Sequence, residues 1–119
     1  MRELKFTIQP RDAIAVPGSD VKMECTARHI VDKQPHYKWI LNETELAFEK
    51  QASRQSPFVY NVWSRDGSLL IQNISGAAYG VYQCVANVMG LAIISRKASV
   101  RMPCKYIIII LGIPANCDF

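Results

Sequence analysis

The apolar positions of this 119-residue chain recur with a period of two, in short runs separated by turn-forming residues. Val21, Met23 and Cys25 alternate with Lys22, Glu24 and Thr26, the pattern of a strand with one buried and one wet face. Further runs over residues 37–41, 58–63, 68–74, 80–87 and 91–101 read as strands. Residues 5–9 and 12–16 read as one edge strand in two pieces, with Pro10 limiting pairing at that edge. A short strand is expected over residues 46–48, after a turn at Asn42-Glu43, and residues 49–57 read as a loop. Asp66-Gly67 marks a turn, and Met89-Gly90 is the tip of a hairpin between the last two long runs. Helical periodicity is absent throughout. The pattern therefore predicts an all-β domain built from two packed sheets.

Four residues sharpen that prediction. Trp39 follows Cys25 by 14 positions, and Tyr82 stands two residues before Cys84. This order resembles the core signature of the immunoglobulin-type sandwich, a Greek-key fold. The resemblance implies a disulfide between Cys25 and Cys84 joining the two sheets, with Trp39 packed against it. It also implies that the Tyr82 hydroxyl ties the corner before Cys84 back to the backbone.

The phrases Ser68-Leu69-x-Ile71-x-Asn73-Ile74 and Gly80-x-Tyr82-x-Cys84-x-Ala86 resemble the I-set immunoglobulin domains of cell-surface adhesion and guidance receptors. That likeness covers residues 5–101. More narrowly, Phe6-x-x-Gln9-Pro10-x-Asp12, residues 66–74, residues 82–86 and Ile93-Ile-Ser-Arg96-x-Ala98-x-Val100 look like the first immunoglobulin domain of the neogenin and deleted-in-colorectal-cancer netrin receptors. The implied function is non-catalytic: an extracellular protein-binding module of an adhesion or axon-guidance receptor.

Two positions depart from the I-set pattern. Ala78 stands where an aspartate usually pairs with an arginine, so Arg54 or Arg65 loses that partner and the corner near Tyr82 is expected to be weaker. The segment Ala86-Asn87-Val88-Met89-Gly90 is shorter than usual, implying a tight hairpin.

Composition narrows the setting. Half the residues are hydrophobic, which excludes a disordered chain. The formal charge of +4 is scattered, with no basic stripe interleaved with aromatics, so a nucleic-acid partner is not expected. Weak contact with acidic glycans remains compatible with it. Pairing of Cys25 with Cys84 would favour an oxidising compartment. Two glycosylation sequons, at Asn42 and Asn73, agree with that address.

The first residues lack an apolar signal-peptide core, from which the chain is expected to be part of a larger membrane protein, touching a membrane only through other parts of it. The competing expectations are a cytoplasmic structural domain of a muscle-type scaffold, or a truncated fragment without independent function. The domain is expected to span residues 1–103 and to close at Pro103. Residues 104–119 read as a short hydrophobic tail outside it, too short to span a bilayer, in which a loop closed by Cys104 and Cys117 is conceivable.

No catalytic chemistry is expected. Cys25 and His29 have no second pair to complete a metal site, and no nucleophile elbow or glycine-rich phosphate loop occurs. No cofactor or metal is expected, and His29 and His36 read as exposed loop histidines flanking the loop 27–35. Strand parity instead points to a face. With Tyr37, Trp39, Tyr82, Cys84, Ala86, Ala98 and Val100 inward, Lys38, Ile40, Val81, Gln83, Val85, Lys97, Ser99 and Arg101 point out. An apolar centre of Ile40, Val81 and Val85 with Lys38, Lys97 and Arg101 around it makes a candidate protein-binding face. Loops 27–35 and 87–91 form a second candidate.

Overall fold

The computed structural model describes residues 4–29, 34–46 and 67–104, together with the backbone of 58–60. Among the described residues eleven strands run in chain order: β1 (Leu4–Ile8), β2 (Ala13–Ile14), β3 (Val21–Met23), β4 (Thr26–His29), β5 (His36–Leu41), β6 (Thr44–Glu45), β7 (Phe58–Tyr60), β8 (Leu69–Ile71), β9 (Gly80–Val88), β10 (Leu91–Ile94) and β11 (Ala98–Arg101). A 3-10 turn, Gly76–Ala78, precedes β9.

The larger sheet has the order β2-β11-β9-β5-β6, with β10 also paired to β9. Its spine is the antiparallel pair β5 and β9, in which Trp39 stands opposite Cys84 and Tyr37 opposite Ala86. β2 runs parallel to β11, so the N-terminal segment crosses from one layer to the other near Pro10. The second layer holds β3-β8-β7 and β1-β4. Between the layers lies one core that includes Met23, Cys25, Trp39, Leu69, Ile71, Tyr82, Cys84, Ala98 and Val100.

The run over residues 21–26 forms two strands rather than one, because its hydrogen-bonding partner changes. β3 pairs with β8, whereas β4 pairs with β1. At Ala27 the backbone N–H donates to the Tyr37 hydroxyl at 3.0 Å, and that hydroxyl donates to the Ala27 carbonyl at 3.3 Å. A tyrosine from the opposite sheet thus does what a neighbouring strand would do. At the junction the Cys25 carbonyl accepts the Gly67 N–H at 2.6 Å, and the Gly67 carbonyl accepts the Trp39 indole N–H at 2.7 Å. A Cβ on Gly67 would come within 2.4 Å of the Tyr37 ring, so only glycine fits this crossing.

Two further expectations are corrected, over residues 68–74 and 91–101. Of the short strand expected over 46–48, residues 47 and 48 lie outside the described residues; before it, Asn42 (φ 49°) and Glu43 (φ 68°) close a two-residue turn that leaves Thr44 opposite Leu41 and starts β6. Residues 47–57, 61–66 and 105–119 lie outside the described residues, with Arg54, Arg65 and Cys117 among them. The run over 68–74 ends as a strand at Ile71, since Asn73 adopts φ 49° and the chain turns there. The run over 91–101 is interrupted between β10 and β11, with consequences for the outer face.

Candidate functional site

The inner signature comes first, because it holds the outer face in place. Cys25 and Cys84 form a disulfide across a sequence separation of 59 residues. Trp39, fully buried, is the cross-strand neighbour of Cys84, so the indole lies against the bridge. The Tyr82 hydroxyl donates to the carbonyl of Ala78 four residues earlier. Burial pushes the Tyr82 hydroxyl well above its ordinary pKa, and the same cause raises that of Tyr79, whose hydroxyl donates to the Ala15 carbonyl at 2.7 Å. Ala78 is itself buried, at 1% exposure. The corner is therefore closed by main chain and methyl packing where a carboxylate is customary.

On the opposite side of the larger sheet, parity holds along β5 and β9. Lys38 pairs with Val85 and Ile40 with Gln83, and all four turn away from the core. Val81, 36% exposed, stands opposite Ser99, with Arg101 two residues further along β11 beside the exposed Ile14. Lys38 reaches Glu45 at 3.6 Å; both side chains are exposed, so the pair is worth little energetically but softens the charge at that corner. Gln83 is less available than its parity suggests, because its amide donates to the Ser95 carbonyl at 3.2 Å.

The last strand departs from parity. Ile94 stands opposite Val85 and Ala98 opposite Tyr82, so three residues, 95 to 97, face only two, 83 and 84. This is a β-bulge of one residue. Ser95 holds it: its N–H donates to the Cys84 carbonyl at 2.8 Å, and its hydroxyl accepts the Cys84 N–H at 2.8 Å. Past the bulge the side chains change face. Ile94, which continuous alternation from Ala98 would bury, is instead 55% exposed next to Val85. Lys97 is exposed but sits in the bulge, off the ladder. The apolar centre of the face is thus Ile40, Val81, Val85 and Ile94, and Ile94 is the member that sequence parity misses.

The loops divide between two ends. Met89 and Gly90, both at positive φ (50° and 82°), form the two-residue turn between β9 and β10, and Met89 is 66% exposed. The loop expected over 27–35 is shorter than expected: residues 27–29 belong to β4, and residues 30–33 lie outside the described residues. His29 is therefore not an exposed loop histidine but a buried one at the end of β4, whereas His36 is exposed at the start of β5. At the other end of β9, the Asn42 side-chain oxygen accepts the Val81 N–H at 2.9 Å, and the Asn73 N–H donates to Asp20 at 3.0 Å. Both asparagines are exposed, and both sit at the end where β9 begins. Among the described residues no group of His, Cys, Asp or Glu side chains could hold a metal ion, and no helix is long and apolar enough to cross a membrane.

A disulfide-bridged double sheet with a buried tryptophan and a tyrosine-closed corner defines an immunoglobulin-type sandwich. The immunoglobulin-domain family model matches residues 5–87, and the chain belongs to that family. Among curated proteins it is 34% identical to mouse neogenin over 103 residues, covering 82% of this chain and 6% of that one. It is 37% identical to the mouse peroxidasin homolog over 89 residues, covering 74% and 5% respectively. The chain thus spans about one domain's length of much longer relatives. Among solved structures, titin domain M7 superposes with a TM-score of 0.69 at 12% identity, covering 86% of this chain and 96% of that one, a likeness of fold alone.

Proposed function

We propose that this chain is an extracellular, non-catalytic protein-recognition module of a cell-surface adhesion or axon-guidance receptor. In this reading it binds a protein partner through the outer face of its larger sheet. The observation that carries the reading is the group of exposed Val81 and Ile94 and half-buried Ile40 and Val85 on one face, interrupted by Gln83 and flanked by Lys38, Lys97 and Arg101. An apolar centre with a polar rim is the anatomy of a protein contact. The Cys25–Cys84 bridge supports an oxidising compartment over a cytoplasmic scaffold role. Contact with acidic glycans through Lys97 and Arg101 would be weak, and membrane contact would come only through other parts of a larger receptor.

Asn42 and Asn73 are proposed to carry glycans. Sugars at the end where β9 begins would leave the Met89–Gly90 end and Ile94 uncovered, which favours partner access from there. A secreted, multimerised form of the chain applied to intact cells tests the reading. Saturable, protease-sensitive binding that drops at least ~10-fold in an Ile40→Lys, Val85→Lys double variant is the expected result. Binding that the double variant leaves intact would overturn it.

A further inference from the structure

Among the described residues the outer edge of β10 has no strand paired to it, a backbone feature distinct from the side-chain face to which Ile94 contributes. We infer that two copies of this chain pair antiparallel along β10, joining their larger sheets into one. The bulge at residues 95–97 is what opens this edge. β2 covers the sheet edge only along β11, pairing Ala13 with Val100 and Ile14 with Arg101. β1 runs near β10 but is hydrogen-bonded to β4 in the other layer.

The phase of the ladder identifies the groups that point outward. In an antiparallel pair, successive residues turn their N–H and C=O alternately toward and away from the partner strand. Ser95 donates to Cys84, so Ser95, Ile93 and Leu91 turn toward β9. Ala92, Ile94 and Arg96 turn away. At Arg96 the chain satisfies its own edge: the N–H donates to the Gln9 side chain at 2.9 Å, and the guanidinium Nε–H donates to the Pro10 carbonyl at 3.1 Å. Among the described residues nothing equivalent covers Ala92 or Ile94.

Natural edge strands are guarded by charge, proline or twist. β10 reads Leu-Ala-Ile-Ile, with neither charge nor proline, and both Ala92 and Ile94 are exposed. Charge sets the direction in which two copies can pair. Arg96 and Lys97 follow the strand at one end, and the uncharged Met89–Gly90 turn lies at the other. Antiparallel pairing of two copies places each cationic end beside the other copy's neutral turn. Parallel pairing would set the cations side by side.

Side-chain volume agrees with a two-fold axis at Ile93. Ala92 then lies opposite Ile94 of the second copy, small against large, and the outward-facing N–H and C=O groups of both residues find partners. Four residues of edge pairing bury less than the ~1,000 Å² a stable complex clears, so the dimer is weak and reversible.

Residue-resolved amide exchange and sedimentation velocity on the intact, oxidised chain, run as a concentration series, test this pairing. The expected result is reversible dimerisation in which the Ala92 and Ile94 amides become protected as concentration rises. The amides of Leu91 and Ile93, already bonded to β9, do not change. Ala92→Pro, which removes an outward N–H and no internal bond, and Ile94→Lys each raise the dimer dissociation constant at least ~10-fold. Gln72→Lys, which adds the same charge on the other sheet, leaves it unchanged. A chain that stays monomeric throughout, or self-association that Ala92→Pro leaves intact, would overturn the inference. Ile94 belongs to both the edge and the face, so Ala92→Pro, which alters only the edge, and the Ile40→Lys, Val85→Lys double variant, which alters only the face, are the pair that tells the two proposals apart.

Discussion

Tyr82 shows how much one hydroxyl can settle. It is fully buried and donates to the Ala78 carbonyl, so removing the oxygen leaves a buried acceptor without its partner. Tyr82→Phe is expected to lower unfolding free energy by about 1–3 kcal/mol in urea titrations, with the fold retained. A pH dependence follows from the same burial. The folded-state pKa of Tyr82 lies above the ordinary value of 10.0, so its contribution is present in full below that value. As pH rises past it, the unfolded chain loses the proton first and stability falls. Tyr79, raised for the same reason, adds to the slope. Equilibrium unfolding from neutral to alkaline pH should therefore be flat and then decline, with a shallower decline in Tyr82→Phe; equal declines would contradict this origin. At this scale the sequence was highly legible, because Cys25, Trp39, Tyr82 and Cys84 together resemble a family signature that implies one physical partner for each. What Ala78 does was not legible. Its missing carboxylate is visible in the sequence, but its carbonyl's role in closing the corner is not.

The strands were legible in order but not in number, since the runs over 21–26 and 91–101 each became two strands, and they were least legible where a side chain or a turn replaces a ladder. Ser95 is the clearest case: its hydroxyl takes the Cys84 N–H, the strand gains a residue, and Ile94, which unbroken alternation from Ala98 would bury, lies at the surface. Serine within a strand run carries no pattern signal for that event. The division of residues 21–26 has the same origin, since only the folded molecule brings the Tyr37 hydroxyl to Ala27. The Met89–Gly90 turn was foreseen, but not the strain at its first position. Met89 holds φ 50°, a region that favours asparagine or glycine in such turns, while exposing its side chain. Met89→Asn is expected to raise stability by about 0.5–1 kcal/mol, measured by thermal or urea unfolding. If partner binding weakens at the same time, the strained methionine is a contact residue; unchanged or lower stability would contradict the assignment of strain.

For the whole molecule, the sandwich rests on a bridge that closes a loop of about 60 residues, worth about 4 kcal/mol by chain entropy. Cys104 is also disulfide-bonded, while Cys117, its conceivable partner in the tail, lies outside the described residues. The fold alone is shared with muscle proteins such as titin, so what separates a recognition module from a load-bearing one is chemistry and not architecture. On the proposed reading the bridge, glycans at the sequons and binding through the apolar face would distinguish the two, and the first two can be read in one experiment. Intact mass of the chain produced through a secretory pathway, with and without reductant, is the most direct test. It includes Thr44→Ala and Ser75→Ala variants, which remove each sequon while keeping Asn42 and Asn73 in their turns. The account predicts glycan mass that falls with each variant, and Cys25 and Cys84 that resist alkylation until reductant is added. An unglycosylated chain with free thiols at Cys25 and Cys84 would contradict it.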